Sequence, residues 1–142
     1  MTIYLAGLIS TDFPQSLDWR SNAEQRLRSV GITTLNPLRG VSPNHADSGL
    51  TSECSTPKLI LARDYQDIQN SDILLVCLDD FGSPRPLIGT IAELAWAWEL
   101  RLPVIAFGAT SLMQRHPFIQ EFVSQYCGTL NEALELITHR FV

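Results

Sequence analysis

Apolar residues fall in short blocks along this chain, separated by stretches with helical periodicity. Ile3-Tyr4-Leu5-Ala6 reads as a strand ended by Gly7, with Gly7–Ser10 as a loop. Trp19, Ala23, Leu27 and Val30 recur at spacings of four, four and three, one face of a helix. Asp18 is its expected N-cap and Gly31 its end. Ile32–Leu35 is a second strand, stopped by Asn36-Pro37. Pro57 suits the first turn of a helix reaching Asn70, with Leu61, Tyr65 and Ile68 as its buried stripe and Ile60 beside it. Ile73–Leu78 has no polar break, the mark of a strand buried on both faces of a parallel sheet. A helix over about Gly89–Arg101 carries Ile91, Leu94, Ala95, Trp98 and Leu102 at helical spacing. Pro103–Phe107 is the next strand, Thr110–Arg115 a loop, His116–Val123 a short helix, Gln125–Cys127 a last strand and Leu130–Arg140 a final helix.

Strands alternating with helices predict an α/β domain, residues 1–142, around a parallel sheet of about five strands. Ligands of such sheets sit at the carboxyl ends of the strands. That edge collects the Gly7–Ser10 loop, Asp79 and Asp80, and the loop leading to Gly89-Thr90-Ile91-Ala92-Glu93. Residues 36–57 have no period and read as a substrate-covering loop or a mobile insertion, the first favoured because they follow a strand at the same edge. Trp96 and Trp98 point to different faces of one helix, which suggests contact with a neighbouring subunit.

Composition narrows the function classes. The chain is 45% apolar and 18% charged with formal net charge -5, so it can bury a core. It has no basic cluster for a nucleic-acid polymer. Arg20, Arg39, Arg63 and Arg85 are available singly for one phosphate. No apolar run reaches membrane-span length. MTIYLAGLIS lacks a basic leader region, and three scattered cysteines fit a reducing cytosol.

The chain has no GxGxxG after its first strand, no phosphate-binding P-loop and no GxSxG. His45, His116 and His139 have no metal-ligand spacing, so neither metal nor cofactor is expected. What remains is a carboxylate pair. Glu93 lies near a helix N-terminus, whose dipole favours the ionised form, and an ionised carboxylate against an apolar wall is a nucleophile. A Glu at such a place is also an ordinary dipole-stabilising residue. Asp64 is four residues from both Ile60 and Ile68, so it projects beside the apolar face, while Arg63 and Asp67 read as a solvent pair. A protonated Asp64 beside an ionised Glu93 suits cleavage of a glycosidic bond.

Several short motifs occur in order: IYLAG, Asp18-Trp19-Arg20, Asn36-Pro37-Leu38-Arg39-Gly40, Arg63-Asp64 followed by Ser71-Asp72, Gly89-Thr90-x-x-Glu93 and His116-Pro117. This set resembles the nucleoside 2-deoxyribosyltransferase family, with its relatives that hydrolyse deoxynucleoside monophosphates. The resemblance implies a flavodoxin-like, Rossmann-like three-layer domain in a homodimer or higher oligomer, with active sites near subunit interfaces. It implies Glu93 as nucleophile at the anomeric carbon, Asp64 as partner for the nucleobase proton, and Tyr4 and Gly7 near the sugar and Glu93. Gly89 and Thr90 belong to the same site motif, and His116 falls where the family sends a residue into a partner's site. The implied substrates are a nucleoside or nucleotide and a free nucleobase.

The chain departs from the family at Leu87. Six residues before the reacting Glu, the transferases carry an Asp and the monophosphate hydrolases a Ser; Leu offers no hydrogen bond. Ser83, Arg85 or Thr90 are the candidates to replace it, and Arg85 suits a phosphate. The leading expectation is transfer of 2-deoxyribose between bases. The alternatives are hydrolysis of a nucleoside monophosphate, a nucleotide-binding module without turnover, and a structural subunit.

Overall fold

The apolar blocks become the strands of one sheet. In the computed structural model, which describes residues 1–40, 56–108 and 111–142, the strands are β1 (Thr2–Gly7), β2 (Thr33–Leu35), β3 (Ile73–Cys77), β4 (Val104–Phe107) and β5 (Gln125–Cys127). All pair in parallel, in the order β2-β1-β3-β4-β5. The five residues of β3 are all buried because both its edges are paired and both its faces are covered. The register sets Tyr4 opposite Leu74 and Gly7 opposite Cys77.

Helices α1 (Gln15–Ser29) and α6 (Leu130–Phe141) cover one face; α2 (Pro57–Gln69), α3 (Ile88–Glu99) and α5 (Pro117–Phe122) cover the other. Alternation along β1 separates two cores. Ile3 and Leu5 pack with Trp19, Leu27 and Leu134, whereas Tyr4 and Ala6 pack with Ile68, Leu94 and Ala97. The result is the expected three-layer α/β domain with a five-stranded parallel sheet. Its order reverses between β1 and β3, the point where such sheets open a crevice.

Several local expectations change. Asp18 does not cap α1; the helix starts four residues earlier, after Pro14 as N-cap. Ser16 Oγ accepts from the Ser10 N–H at 3.1 Å and donates to the Ser10 carbonyl at 2.9 Å, which holds the earlier turn together. Val30 leaves the buried stripe as the C-cap, 40% exposed. Helix α2 does begin with Pro57, capped by Thr56, but its inward face is displaced by about one residue. Leu61 is exposed, Ile68 is fully buried, and Asp67 is buried rather than solvated. Arg39 causes this, because its guanidinium pairs with Asp67 at 2.7 Å from the chain after β2, with Arg63 farther off at 4.0 Å. Residues 111–115 form a short helix, α4 (Ser111–Arg115), not a loop. Trp96 packs edge-on against Tyr65, while Trp98 is 51% exposed. Most of the expected 36–57 loop, residues 41–55, lies outside the described residues.

Candidate active site

The crevice beside β1 gathers side chains from four elements. Tyr4 stands in the middle of β1 with no exposed surface, its hydroxyl turned toward Glu93. Burial, then the charges of Glu93 and Asp64, push the phenol well above its usual pKa. Glu93 projects from the second turn of α3, because the helix begins at Ile88. It therefore lies deeper than a first-turn residue, and the helix dipole weakens there. Its Oε2 is buried with no hydrogen-bond partner. Burial pushes its pKa up to about 8; Tyr4 and Arg20 pull against the rise and Asp64 adds to it. Burial thus favours the protonated carboxyl, opposite to the expectation from the helix end.

Asp64 comes from the inward side of α2, half-buried, and burial raises its pKa to about 6 against the pull of Arg63. The displaced face of α2, Ile60–Asp64–Asp67–Ile68, aims this carboxylate at the crevice. Asp67 is part of the support. It binds Arg39, and Arg63 donates to the Arg39 carbonyl at 2.8 Å. The chain after β2 is thereby tied to α2.

Gly7 ends β1 at φ +151, and a Cβ there would stand 3.1 Å from the Cys77 carbonyl oxygen. Only glycine lets the two central strands approach this closely. Gly89 is different: an added Cβ meets nothing within 4 Å, so the fold alone does not require glycine there. Thr90 is buried. Leu87 is the N-cap of α3, buried and without a capping side chain. In the β3–α3 loop, Asp79 and Asp80 accept from the Phe81 and Gly82 N–H groups at 2.8 and 2.9 Å, so they build the turn. Ser83 Oγ accepts from the Arg85 N–H. Arg85 crosses to the opposite loop and donates to the Ile9 carbonyl at 2.6 Å.

His116 is not brought to this cluster. It caps α5, accepting the Phe118 N–H on Nδ1 at 3.1 Å, and its ring meets Phe118; neither contact involves Tyr4, Asp64 or Glu93.

Arg20, expected to be available for a phosphate, is instead fully buried. Ser16, Arg20, Ala23 and Leu27 form one buried stripe of α1, and an arginine at the second place of a 4-3-4 stripe was the available signal. Its guanidinium donates to the carbonyls of Gly7 at 2.8 Å, Leu8 at 3.1 Å and Ser16 at 2.6 Å. It also lies 4.8 Å from the centre of the Trp19 ring.

Residues 3–133 match the profile of the nucleoside 2-deoxyribosyltransferase family. The chain belongs to this family. It is accordingly an enzyme of the glycosyltransferase or N-glycosidase kind. No curated protein matches it by sequence. Among solved structures it is similar to a 2-deoxyribosyltransferase of Bacillus psychrosaccharolyticus (24% identity, 94% of this chain and 90% of the other covered, TM-score 0.70). It is also similar to a CMP N-glycosidase of Clostridium botulinum (15% identity, 98% and 99% covered, TM-score 0.62). A third is a 2-deoxyribosyltransferase of Leishmania mexicana (17% identity, 99% of each chain covered, TM-score 0.63). At these identities the likenesses establish the shared three-layer fold. Among the described residues, no helix is long and apolar enough to cross a membrane.

Proposed function

We propose that this enzyme transfers 2-deoxyribose between nucleobases through a covalent intermediate on Glu93. The observation that carries the reading is the buried, unpartnered Oε2 of Glu93, which faces Tyr4 and Asp64 at the reversal of the sheet. An ionised Glu93 oxygen attacks the anomeric carbon. The bond to the base nitrogen breaks, and its electron pair leaves with the base, which takes a proton from Asp64. The sugar is then an ester of Glu93. A second base attacks the same carbon, gives its proton to Asp64 and expels the Glu93 carboxylate. Tyr4 steadies the Glu93 carboxylate before the first step and after the second. Gly7, Gly89 and Thr90 line the sugar side in this scheme.

Hydrolysis of a nucleoside monophosphate, with water as the acceptor, is the second reading. Arg85 favours it, since a guanidinium stands over the first loop where Leu87 supplies no polar contact. The test is a chromatographic assay with deoxynucleosides and their monophosphates, each with and without a second base. A new deoxynucleoside formed only with acceptor, and a sugar adduct on the Glu93 peptide by mass spectrometry, is the expected result. Base release without acceptor selects hydrolysis, and an adduct on another residue overturns the role of Glu93.

The reading includes a homo-oligomer joined through the face that bears Trp98 and Phe118, 51% and 67% exposed and linked through Phe122. His116, on that face, would then meet the partner's site. Light scattering on Trp98→Asp should report a smaller particle than the unaltered chain; equal masses remove this interface. Free thiols at Cys77 and Cys127 agree with a cytosolic enzyme, which cell fractionation tests.

A further inference from the structure

Arg20 is fully buried, yet no carboxylate of the described residues pairs with it in a salt bridge. A lone guanidinium in a protein interior is costly, and an aliphatic side chain would fill the same stripe beside Ala23 and Leu27. Three carbonyl oxygens and the Trp19 ring offset part of the cost. Two of those carbonyls, of Gly7 and Leu8, belong to the turn by which β1 enters the site. The fork therefore fixes that turn to α1 from behind. Its Nε–H remains buried without an acceptor.

The charges around it are few. Glu93 from α3, Tyr4 from β1, Cys77 from β3 and Glu24 from α1 itself act on Arg20. Glu93 in turn is faced by Tyr4 from β1, Asp64 from α2 and Arg20 from α1. Arg20 is the cation of this set that acts on Glu93 itself, whereas Arg63 and Arg39 act on Asp64.

We propose that Arg20 is a positioning residue: its fork holds the Gly7–Leu8 turn, and its fixed charge keeps Glu93 available as a carboxylate. The second half rests on the reading of Glu93 as the reacting group. When Glu93 becomes an ester, the negative charge passes to Asp64, which has given its proton to the base, and Arg20 loses the Glu93 counter-charge. Departure of the carboxylate in the second step restores it. One buried cation thereby favours the ionised nucleophile at the start and its release at the end.

The experiment compares Arg20→Met and Arg20→Lys. In Arg20→Met, the Glu93 ionisation, which sets the alkaline limb of the kcat/KM profile while Asp64 sets the acid limb, moves its midpoint upward by about one unit, with an approximately tenfold loss at pH 7 that narrows above pH 8. Arg20→Lys keeps the charge but not the fork, so kcat/KM drops by a similar factor at every pH with the midpoint unmoved. A drop in Arg20→Met with no movement of the midpoint means a structural role alone and overturns the proposal. Carbon-13 titration of the Glu93 carboxyl, assigned with Glu93→Gln, needs no turnover. An upward midpoint in Arg20→Met without any N-glycosidic activity would overturn the proposed function and keep the coupling; an unmoved midpoint overturns the coupling whatever the activity. If Arg20→Met does not fold, the Arg20 Nε–H resonance of the unaltered chain decides. It should follow the Glu93 titration and cease to do so in Glu93→Gln; a resonance indifferent to Glu93 overturns the proposal.

Discussion

The Tyr4 hydroxyl faces the Glu93 carboxyl across the β1–α3 contact, and both the hydroxyl and the Glu93 Oε2 are buried without a well-formed hydrogen bond. Two polar atoms left so in a folded interior weaken the fold, and their retention beside a crevice marks a site that trades stability for chemistry.

The first consequence is a bell-shaped pH dependence. Attack needs Glu93 ionised, with a pKa of about 8, while proton donation needs Asp64 protonated, with a pKa of about 6. The active form is then the less populated arrangement of one shared proton. kcat/KM should peak near pH 7 and fall on both sides. A profile flat from pH 5 to 9 would remove the pair from the reaction.

Removal of the buried carboxylate should stabilise the protein. The folded-state pKa of Glu93 lies above its ordinary 4.5, so between about pH 4.5 and 8 the folded chain binds more protons than the unfolded one. Stability then declines as pH rises through that window. Glu93→Gln has no such loss. Its unfolding free energy should match the parent near pH 4 and exceed it by on the order of 3 kcal/mol above pH 8. Its turnover should fall by a factor of about a thousand or more. Urea unfolding at several pH values makes the comparison, and parallel curves would contradict it.

Tyr4→Phe separates the phenol from its ring. The hydroxyl holds the Glu93 pKa down, and the ring remains in the core with Ile68 and Leu94. Activity at pH 7 should drop by roughly tenfold to a hundredfold, with the alkaline limb, which Glu93 sets, displaced upward. Stability should change by under about 1 kcal/mol, because the ring keeps its packing and the hydroxyl's loose contact with Glu93 is offset by the cost of its own burial. A large fall in melting temperature would mean that the hydroxyl has a structural partner.

Gly7 and Gly89 should respond in opposite ways to alanine. At Gly7, the added Cβ meets the Cys77 carbonyl at 3.1 Å and the φ of +151 is unfavourable, so Gly7→Ala should cost roughly 2 kcal/mol or more. At Gly89, in the first turn of α3 with open space around it, Gly89→Ala should be neutral or stabilising by about 0.5 kcal/mol. If Gly89→Ala is stable yet inactive, the glycine serves the ligand rather than the fold. Thermal melts and the base-exchange assay read the two effects separately.

The sequence by itself determined the alternation of strands and helices, because a buried parallel strand needs an unbroken apolar run such as Ile73–Cys77 and a covering helix needs a stripe such as Trp19, Ala23 and Leu27. Ordered short motifs also pointed to Glu93 and Asp64 and to the family. What periodicity could not supply was any feature that depends on a distant partner. Asp67 is inside only because Arg39 meets it from the chain after β2, and that pairing accompanies the inward turn of Asp64 on α2. Arg20 is buried only because the turn after β1 lends it carbonyls. The protonation of Glu93 follows from burial beneath β1, which outweighs the dipole of its own helix. Local pattern encodes which surface of an element avoids water. The charges that share one small dry volume, and hence which carboxylate holds the proton, were decided by the tertiary structure, because desolvation and Coulomb interaction depend on distances in space rather than along the chain.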